Sequence, residues 1–305
     1  MKPLIAIVGP TAVGKSKLAL FLAQNFDGEI VNADSYQVYR FMDIGTAKPS
    51  LEERALVPYH LIDIVAPDEP FSLALYQELA YKAIEDIRQR GRLPLLVGGS
   101  GLYVWAVLEG WKIPQVAPDG ELRRKLEQRA AAEGSLALYR ELQEIDPAAA
   151  MRIDPRNVRR VIRALEVCRV AGVPFSGLQQ KSPPPFPVMT LGLTASREDL
   201  YRRIDARVDD MVKKGLVEEV RSLMGKGYGL DLSAMSGIGY RQIGGCLQGK
   251  LALPEAVQQI KFETHRLARH QYAWFRPSDP RLQWFDIREE LGEAVVRWVR
   301  SAIDR

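Results

Sequence analysis

The chain has 305 residues, of which 47% are hydrophobic and 26% charged, a composition that is typical of a globular protein and excludes a disordered or fibrous one. No apolar run approaches the roughly 20 residues that span a bilayer, and no signal-peptide pattern is present, so we expect a cytoplasmic protein without a membrane segment. The net charge of +4 weakly indicates an anionic partner, and the two cysteines, Cys168 and Cys246, have no metal-ligand spacing and fit a reducing compartment.

The first third of the chain alternates strand and helix patterns, which is typical of a parallel sheet covered by helices. The predicted strands are Leu4–Val8, Glu29–Asn32 and Leu93–Val97. The predicted helices are Lys15–Phe26, a helix from the N-cap Ser72 to Arg90 that Gly91 ends, and one after Gly98–Gly101.

The middle of the chain has a different pattern. From Pro118 to Gly172 it is helical without an evident strand, and the proline-rich stretch Lys181–Pro187 is typical of a stiff hinge, with a docking site for a polyproline reader as the alternative. Strand patterns return at Val188–Leu193 and Leu282–Ile287, and a long helix begins between them at the N-cap Ser196. The predicted domains of this α/β chain are a parallel-sheet core, residues 1–116 and 187–305, and a helical insertion domain, residues 117–186.

A glycine-rich motif follows the first predicted strand. Its sequence, Gly-Pro-Thr-Ala-Val-Gly-Lys-Ser, fits the P-loop pattern, in which glycines let the backbone wrap around phosphate oxygens and the amides point inward. Lys15 would add a positive charge, and the Ser16 hydroxyl could hold Mg²⁺. Because the motif lies between a strand and a helix, we predict a core like that of the P-loop NTPases. The predicted phosphate-binding residues are Gly9, Pro10, Thr11, Ala12, Val13, Gly14, Lys15 and Ser16.

The P-loop does not by itself identify the phosphate ligand. The sequence has no Asn-Lys-x-Asp motif for reading guanine, and the strand Leu93–Val97 ends in glycines instead of a Walker B acid. Asp34 follows the strand Glu29–Asn32, whose end lies on the same sheet edge as the P-loop. Asp34 could therefore hold a metal-bound water or take a proton from a nucleophile, and a simple turn aspartate is the alternative.

Arginines are concentrated in the predicted insertion. Between Met151 and Gln180 there are six arginines and only two acids, and Arg159 and Arg163 share one face of a predicted helix. Such a face could contact RNA phosphates or could simply be solvated. The stretch Lys261–Arg276 also interleaves cations and aromatic residues; we expect its aromatic side chains to be structural and its arginines to be available to phosphates.

Seven stretches resemble motifs of the tRNA dimethylallyltransferase family and run in family order over nearly the whole chain. They are Gly9–Ser16, Asp34–Tyr39, Met42–Pro49, His60–Asp63, Gly98–Tyr103, Arg159–Glu166 and Gly239–Gln242. Ser16 and Ser100 stand where this family often has threonine, and both retain the hydroxyl. The C-terminal zinc finger of the eukaryotic relatives is absent from this sequence.

The resemblance implies transfer of a dimethylallyl group from dimethylallyl diphosphate to N6 of the adenosine at position 37, beside the anticodon of tRNA, with release of pyrophosphate. It implies that Asp34 is the base and that Lys15 and Arg207, with Mg²⁺ near Ser16, stabilise the leaving group. Without the resemblance, the position of Arg207 near Asp209 and Asp210 on a predicted helix favours a solvent-exposed arginine with no catalytic role. The resemblance assigns to tRNA contact Asp34, Ser35, Tyr36, Gln37, Ser100, Arg123, Arg159, Arg160, Val161, Ile162, Arg163, Ser236, Gly237, Ile238, Gly239, Tyr240 and Arg241.

Two other functions compete with prenyl transfer. A P-loop nucleoside or nucleotide kinase would account for the P-loop and for the arginines, with the insertion as a lid. A non-catalytic or ATP-switched RNA-binding protein is the other alternative, but a switch protein should carry a Walker B acid, which the sequence lacks. A kinase would not explain why the segments around Asp34 and Gly239 both match a prenyltransferase. We predict tRNA and dimethylallyl diphosphate as ligands and no protein partner.

Overall fold

The computed structural model describes residues 2–114, 116, 119–178, 180–287 and 291–303. The chain forms two compact units, one of Met1–Leu108 and Pro184–Arg305 and the other of Glu109–Pro183. The insertion expected from the sequence covers 117–186, and its first residues, Ala117 and Pro118, lie outside the described residues. No helix within the described ranges is long and apolar enough to cross a membrane.

The first unit is built on one six-stranded sheet with the order β3-β2-β4-β1-β5-β6, in which every neighbouring pair is parallel. The strands are β1 Leu4–Val8, β2 Gly28–Asn32, β3 Tyr59–His60, β4 Leu93–Val97, β5 Val188–Thr194 and β6 Leu282–Asp286. The short β3 was not predicted, because two residues carry no alternating pattern. The predicted α/β class with a parallel sheet is confirmed.

The central strands are apolar at nearly every position because helices cover both faces of a parallel sheet. All residues of β1, β2 and β4 are buried. The loops that follow these three strands leave from the same edge of the sheet, and they carry the P-loop, Asp34 and Gly98–Gly101. The sheet therefore brings together three segments that are far apart in the sequence.

The helices follow the predicted caps. They are α1 Lys15–Phe26, α2 Leu51–Leu56, α3 Leu73–Gln89, α4 Gly101–Leu108, α5 Gly120–Glu133, α6 Ser135–Ile145, α7 Pro147–Ala150, α8 Val158–Ala171, α9 Arg197–Lys213, α10 Leu216–Gly225, α11 Tyr240–Leu247, α12 Leu253–Trp274 and α13 Leu291–Ile303. Ser72 accepts a hydrogen bond from the Leu75 amide, and Ser196 accepts one from the Asp199 amide, as expected of N-caps. Both helix starts predicted from these serines are confirmed.

The second unit consists of α5–α8, with no strand among its described residues. Its core is formed by apolar side chains of these helices: Leu126, Leu138, Leu142, Val161, Ile162, Ala164 and Leu165. The helix α8 begins at the N-cap Asn157, whose side chain accepts from the Arg160 amide, and ends at Gly172 in the left-handed region. From Val161 to Cys168 the helix is buried except at Arg163, whereas Arg159 and Arg160 in its first turn are exposed.

Candidate active site

The P-loop follows β1 and is shaped by glycines that no other residue could replace without strain. Gly9 has φ +136°, and a Cβ at this position would lie 2.4 Å from the Leu193 carbonyl oxygen. Gly14, just before α1, has φ +104°. These two positions let the backbone turn sharply from the strand into the helix, as a phosphate cradle requires.

Lys15 extends back over the loop that carries it. Its ammonium donates hydrogen bonds to the carbonyl oxygens of Gly9 at 3.0 Å and Pro10 at 2.7 Å. Although Lys15 as a whole is half-buried, its ammonium is surrounded by protein, and this desolvation, together with the nearby Arg207 charge, lowers the pKa of Lys15 to about 7. The negative charge of Asp34 partly opposes this shift. The lysine is therefore close to both charged groups.

Arg207 reaches the same loop from α9. Its Nη1 donates to the Thr11 hydroxyl at 3.3 Å. Desolvation lowers the pKa of its guanidinium, and Asp34 opposes this effect. The acids that follow it on α9 pair elsewhere, Asp209 with Lys261 and Asp210 with Lys214. The solvated helix charge that spacing alone favoured for Arg207 is therefore wrong, because the packing of α9 turns this side chain toward the P-loop.

A cleft of about 400 Å³ opens beside these groups. It is lined by Ala12, Gly14, Lys15, Ser16, Lys17, Ala47, Lys48, Pro49, Glu53, Arg203 and Arg207. Cations outnumber the single acid, Glu53, in this lining. The charge and the exposed loop backbone suit a polyanionic ligand such as a diphosphate.

Asp34 is held rigidly just after β2. Its amide donates to Asn32 Oδ1 at 3.1 Å, and Asn32 Nδ2 donates back to the Asp34 carbonyl at 3.1 Å. Asp34 Oδ1 accepts from the Tyr36 amide at 2.9 Å, so the residue does form the local turn that was the alternative interpretation. Its Oδ2 makes no hydrogen bond to any described residue. The charge of this carboxylate also acts on Lys15 and Arg207, which a turn alone does not require.

The segment after Asp34 contacts the other segments that the resemblance assigned to tRNA. The Ser35 amide donates to the Ser100 hydroxyl at 3.0 Å. The ring of Tyr36 packs against Gly237, where a Cβ would lie 2.8 Å from Tyr36 Cε1. The fold therefore brings Ser35, Tyr36 and Ser100 together beside Asp34, whereas Gly237, also expected to contact tRNA, is buried beneath the Tyr36 ring. Gln37 instead supports the backbone, since its Nε2 donates to the Thr46 and Ala47 carbonyls.

The stretch Ser236–Arg241 divides into exposed and buried positions. Ser236 and Arg241 are exposed and Ile238 is half-buried, whereas Gly239 is buried. Tyr240 is only 1% exposed, and its hydroxyl donates to Glu219 Oε1 at 2.7 Å. The expectation that Tyr240 contacts tRNA is corrected for its side chain, which lies in the core and supports the surface from below.

Glu219 is a residue that sequence analysis missed. Its Oε2 accepts from the amides of Asp43 and Ile44 at 2.9 and 2.7 Å, and its Oε1 accepts from the Gly45 amide at 3.1 Å. The carboxylate thus holds the turn Asp43–Gly45 and Tyr240 together. This turn leads into the loop that lines the cleft. No local pattern marks Glu219, because its partners lie about 176 positions away in the chain.

The second unit separates its arginines into two groups. The Arg123 guanidinium makes two bonds to Glu166 at 2.9 Å, and Arg163 Nη1 makes a third at 2.6 Å. Glu166 is completely buried. These two arginines are therefore held by an acid inside the unit. Arg159 and Arg160 are exposed and have no ion pair with any residue in the described part of the chain.

The hydrophobic members of the same predicted stretch face inward. Val161 is 1% exposed and Ile162 is 4% exposed, and both belong to the core of the second unit. The expectation of tRNA contact is corrected for these two side chains, because both pack into the core of the second unit instead of facing solvent. Their contribution is to anchor α8.

His60, the first residue of the motif stretch His60–Asp63, has a structural contact, with Nε2 2.7 Å from Glu29 Oε2.

The expectation that the aromatic residues of Lys261–Arg276 are structural holds at some positions and fails at one. Among the aromatic residues of α12 and its end, Phe275 is buried and Tyr272 bonds the Thr194 hydroxyl. Phe262, however, is 62% exposed, so the expectation of a structural role is wrong at this position. The spacing of aromatics on a helix does not show which of them faces the sheet.

The donor atoms near the cradle suit Mg²⁺ bound chiefly through a ligand's phosphates. Among the described residues, no group of three or more His, Cys, Asp or Glu side chains could hold a metal ion. Oxygen donors near the cradle include the hydroxyl of Ser16, an exposed residue at the start of α1, the Glu53 carboxylate in the cleft lining, and the Asp34 carboxylate. Mg²⁺ commonly takes one or two protein ligands and keeps waters and substrate phosphates as the rest.

Fold and site together define a P-loop α/β protein with a carboxylate facing the phosphate cradle. A family model described as IPP transferase matches residues 37–278. A protein of Roseiflexus castenholzii named tRNA dimethylallyltransferase is 57% identical over 276 residues, 90% of each chain. The chain belongs to the IPP transferase family.

Solved structures agree with this assignment. The tRNA isopentenylpyrophosphate transferase of Bacillus halodurans is 41% identical, with a TM-score of 0.74 over 100% of this chain and 97% of that one. A eukaryotic dimethylallyltransferase acting on tRNA is 29% identical, with a TM-score of 0.79 over 99% of this chain and 78% of that one. The similarity therefore covers both units of the present chain.

Proposed function

We propose that this protein transfers the dimethylallyl group of dimethylallyl diphosphate to N6 of adenosine 37 in tRNA. The N6 nitrogen forms a bond to C1 of the prenyl group, the bond between C1 and the diphosphate oxygen breaks, and pyrophosphate leaves. The nitrogen then gives a proton to Asp34. Atoms and charges balance without a further reactant.

One observation carries the proposal: the charge of Asp34 acts on both Lys15 and Arg207, and Arg207 donates to Thr11 in the P-loop. A general base must lie near the amine, and cations must lie near the leaving oxygen. The mutual charge effects on the pKa values of Lys15 and Arg207 indicate that the three groups share one site. In this proposal the P-loop binds the diphosphate of the prenyl donor, which is the leaving group of the reaction. The reaction therefore does not require hydrolysis of a nucleoside triphosphate.

The residues around the cradle have separate roles in this proposal. The amides of the P-loop, Lys15 and Arg207 bind the diphosphate and stabilise the charge that develops on it. Mg²⁺ would be held at Ser16, with Asp34 as a second oxygen ligand or as a base, and would supply further positive charge to the diphosphate. Asp34 accepts the proton through Oδ2, while its Oδ1 keeps the bond to the Tyr36 amide.

The acceptor would approach over the surface formed by Ser35, Tyr36 and Ser100. Enzymes that do chemistry on a base take it out of its stack and into the active site, so adenosine 37 would be turned out of its stack to reach Asp34. In the second unit, Arg159 and Arg160 are suited to RNA phosphates because their charges are exposed and unpaired among the described residues. A substrate of this kind also implies a cytoplasmic location.

A nucleoside or nucleotide kinase would use the same cradle. Kinases of this class require an acid that holds Mg²⁺ near the end of a core strand. The described strand β4 ends at Val97 and is followed by Gly98 and Gly99, with no acid at this point, and the Asp34 carboxylate already accepts from the Tyr36 amide in a local turn. Membership of the IPP transferase family also favours prenyl transfer.

The test is an assay with purified protein, Mg²⁺, labelled dimethylallyl diphosphate and unmodified tRNA. We expect label on the tRNA and none on free adenosine run in parallel, because the RNA supplies most of the binding contacts. A tRNA with guanosine at position 37 is the matched control and should stay unlabelled. Transfer of label from γ-labelled ATP to either acceptor, without prenyl transfer, would favour the kinase instead.

A further inference from the structure

Gln271 is a polar residue buried in the middle of the site, on α12. It is only 7% exposed. Its Oε1 accepts from the Thr11 amide at 2.7 Å, and its Nε2 donates to the Gly99 carbonyl at 3.1 Å. The side-chain amide therefore bridges the P-loop and the loop after β4. The Gly98 amide donates to the Ile7 carbonyl at the sheet edge, and Gln271 adds a side-chain link farther out, between the loops themselves.

Each end of this bridge leads to one half of the site. Thr11 also accepts from Arg207 through its hydroxyl, so the P-loop end includes the cations that face the leaving group. Gly99 precedes Ser100, whose hydroxyl accepts from the Ser35 amide beside Asp34. Gln271 thus lies on a continuous path of contacts from the diphosphate cradle to the base.

Gly99 makes room for this amide. A Cβ at Gly99 would lie 2.2 Å from Gln271 Nε2, which is far inside contact distance. The backbone of Gly99 is not in the left-handed region, so conformational freedom does not explain the glycine. The close approach of the Gln271 amide is the physical reason for a glycine at this position.

We propose that Gln271 is a positioning residue that fixes the spacing between the diphosphate cradle and Asp34. Gln271 does not contact the reacting atoms of either substrate. It holds in place the two loops that border them in the proposed reaction. This inference rests on the proposed prenyl transfer. In-line displacement requires the amine, C1 and the leaving oxygen to be aligned, and a shift of about 1 Å can lower the rate by about 100-fold.

The first experiment is Gln271→Ala, with Gln259→Ala on the exposed face of the same helix as the matched control. We expect kcat for prenyl transfer to fall by about 10- to 100-fold in the first variant and to stay unchanged in the second. Affinities for inorganic pyrophosphate and for tRNA, measured separately, should change by less than about threefold, because each half of the site stays intact. Pyrophosphate affinity that falls as far as kcat would overturn the proposal.

The second experiment uses Gly99→Ala, alone and combined with Gln271→Ala. Alone, the added methyl should displace the amide and lower kcat by about as much as Gln271→Ala does. In the Gln271→Ala background the methyl has no amide to displace, so the further loss should be less than about twofold. Equal losses in both backgrounds would show that the amide is not what Gly99 accommodates.

Folding and the underlying activity are tested separately. If the Gln271→Ala variant binds neither pyrophosphate nor tRNA, the Gln271→Glu variant is tested in its place. The glutamate side chain fills the same volume and keeps an acceptor for the Thr11 amide, but it cannot donate to the Gly99 carbonyl. We expect the same split, with kcat lowered and pyrophosphate binding retained. If the unmodified protein transfers no label to tRNA, the proposed function is wrong. If the unmodified protein transfers label and the Gln271 variants have the same kcat, only the proposed role of Gln271 is wrong.

Discussion

The ring of Tyr36 lies directly on the backbone of Gly237, with no room for a methyl group between them. Tyr36 belongs to the turn that Asp34 caps, and Gly237 belongs to the loop before α11. Two segments that are about 200 positions apart in the sequence thus pack together beside Asp34, the proposed base.

Gly237→Ala tests the importance of this contact. The backbone of Gly237, with φ −58° and ψ 153°, is open to alanine, so the effect comes from the ring alone. We expect kcat/KM for tRNA to fall by roughly tenfold as Tyr36 is displaced, while pyrophosphate affinity is unchanged. Gly225→Ala, where a Cβ would meet nothing within 4 Å, is the control. Loss of pyrophosphate affinity would indicate that the disturbance spreads to the cradle.

Asp34→Asn separates the base from the turn. The amide oxygen can still accept from the Tyr36 amide, so the local backbone is retained. Without a proton acceptor, turnover should fall by about 10²- to 10⁴-fold, with tRNA affinity within a few-fold of the parent. Single-turnover transfer and filter binding measure the two quantities. Normal turnover would remove Asp34 from the role of base.

The lowered pKa of Lys15 predicts that diphosphate binding takes up protons. With a pKa of about 7, the free ammonium is largely neutral at pH 8, whereas a bound diphosphate favours the charged form. Affinity for pyrophosphate should therefore weaken as pH rises from 7 to 9, by at most about tenfold per pH unit for this group.

Calorimetry in two buffers of different ionisation enthalpy measures this linkage. More protons should be taken up at pH 8 than at pH 6, where Lys15 is already charged in the free protein. The titration at pH 6 is thus an internal control. Equal proton uptake at both values would show that the ammonium is charged throughout this range.

Glu219→Gln should loosen the loop that borders the cleft. The carboxylate accepts three backbone amides and the Tyr240 hydroxyl, and an amide group cannot replace all of these acceptors. We expect the free energy of unfolding to fall by about 1–3 kcal/mol and KM for dimethylallyl diphosphate to rise. The neighbouring Glu218→Gln, exposed and 3.5 Å from Arg221, should change neither quantity. Identical behaviour of the two variants would contradict the role of Glu219.

Arg159→Ala should lower the affinity for tRNA, whereas Arg163→Ala should lower the stability of the protein. Arg159 is exposed, so its loss should weaken tRNA binding and reduce the slope of log affinity against log salt by about one. Arg163 pairs with the buried Glu166, so its loss should lower the free energy of unfolding by about 1–3 kcal/mol. Urea unfolding and salt titrations of tRNA binding distinguish them. An unchanged salt slope for Arg159→Ala would count against contact with phosphates.

Local sequence determined much of the fold. The strands β1 and β4 and the helix α1 have the predicted bounds, because buried apolar runs and the glycines and caps at their ends act between near neighbours. The P-loop and the position of Asp34 after β2 follow from the same signals. A parallel sheet then places both at one edge, whatever the details of packing.

Only the tertiary structure decided which distant side chains complete the site. Arg207 and Gln271 meet Thr11 across 196 and 260 positions of the chain. A helix pattern shows that a residue is polar, but the direction that it faces depends on how the helix packs on the sheet. For the same reason sequence could not distinguish the exposed Phe262 from the buried Phe275, or the free charge of Arg159 from the paired charge of Arg163. Long-range packing, which has no periodic signature in the sequence, sets these contacts.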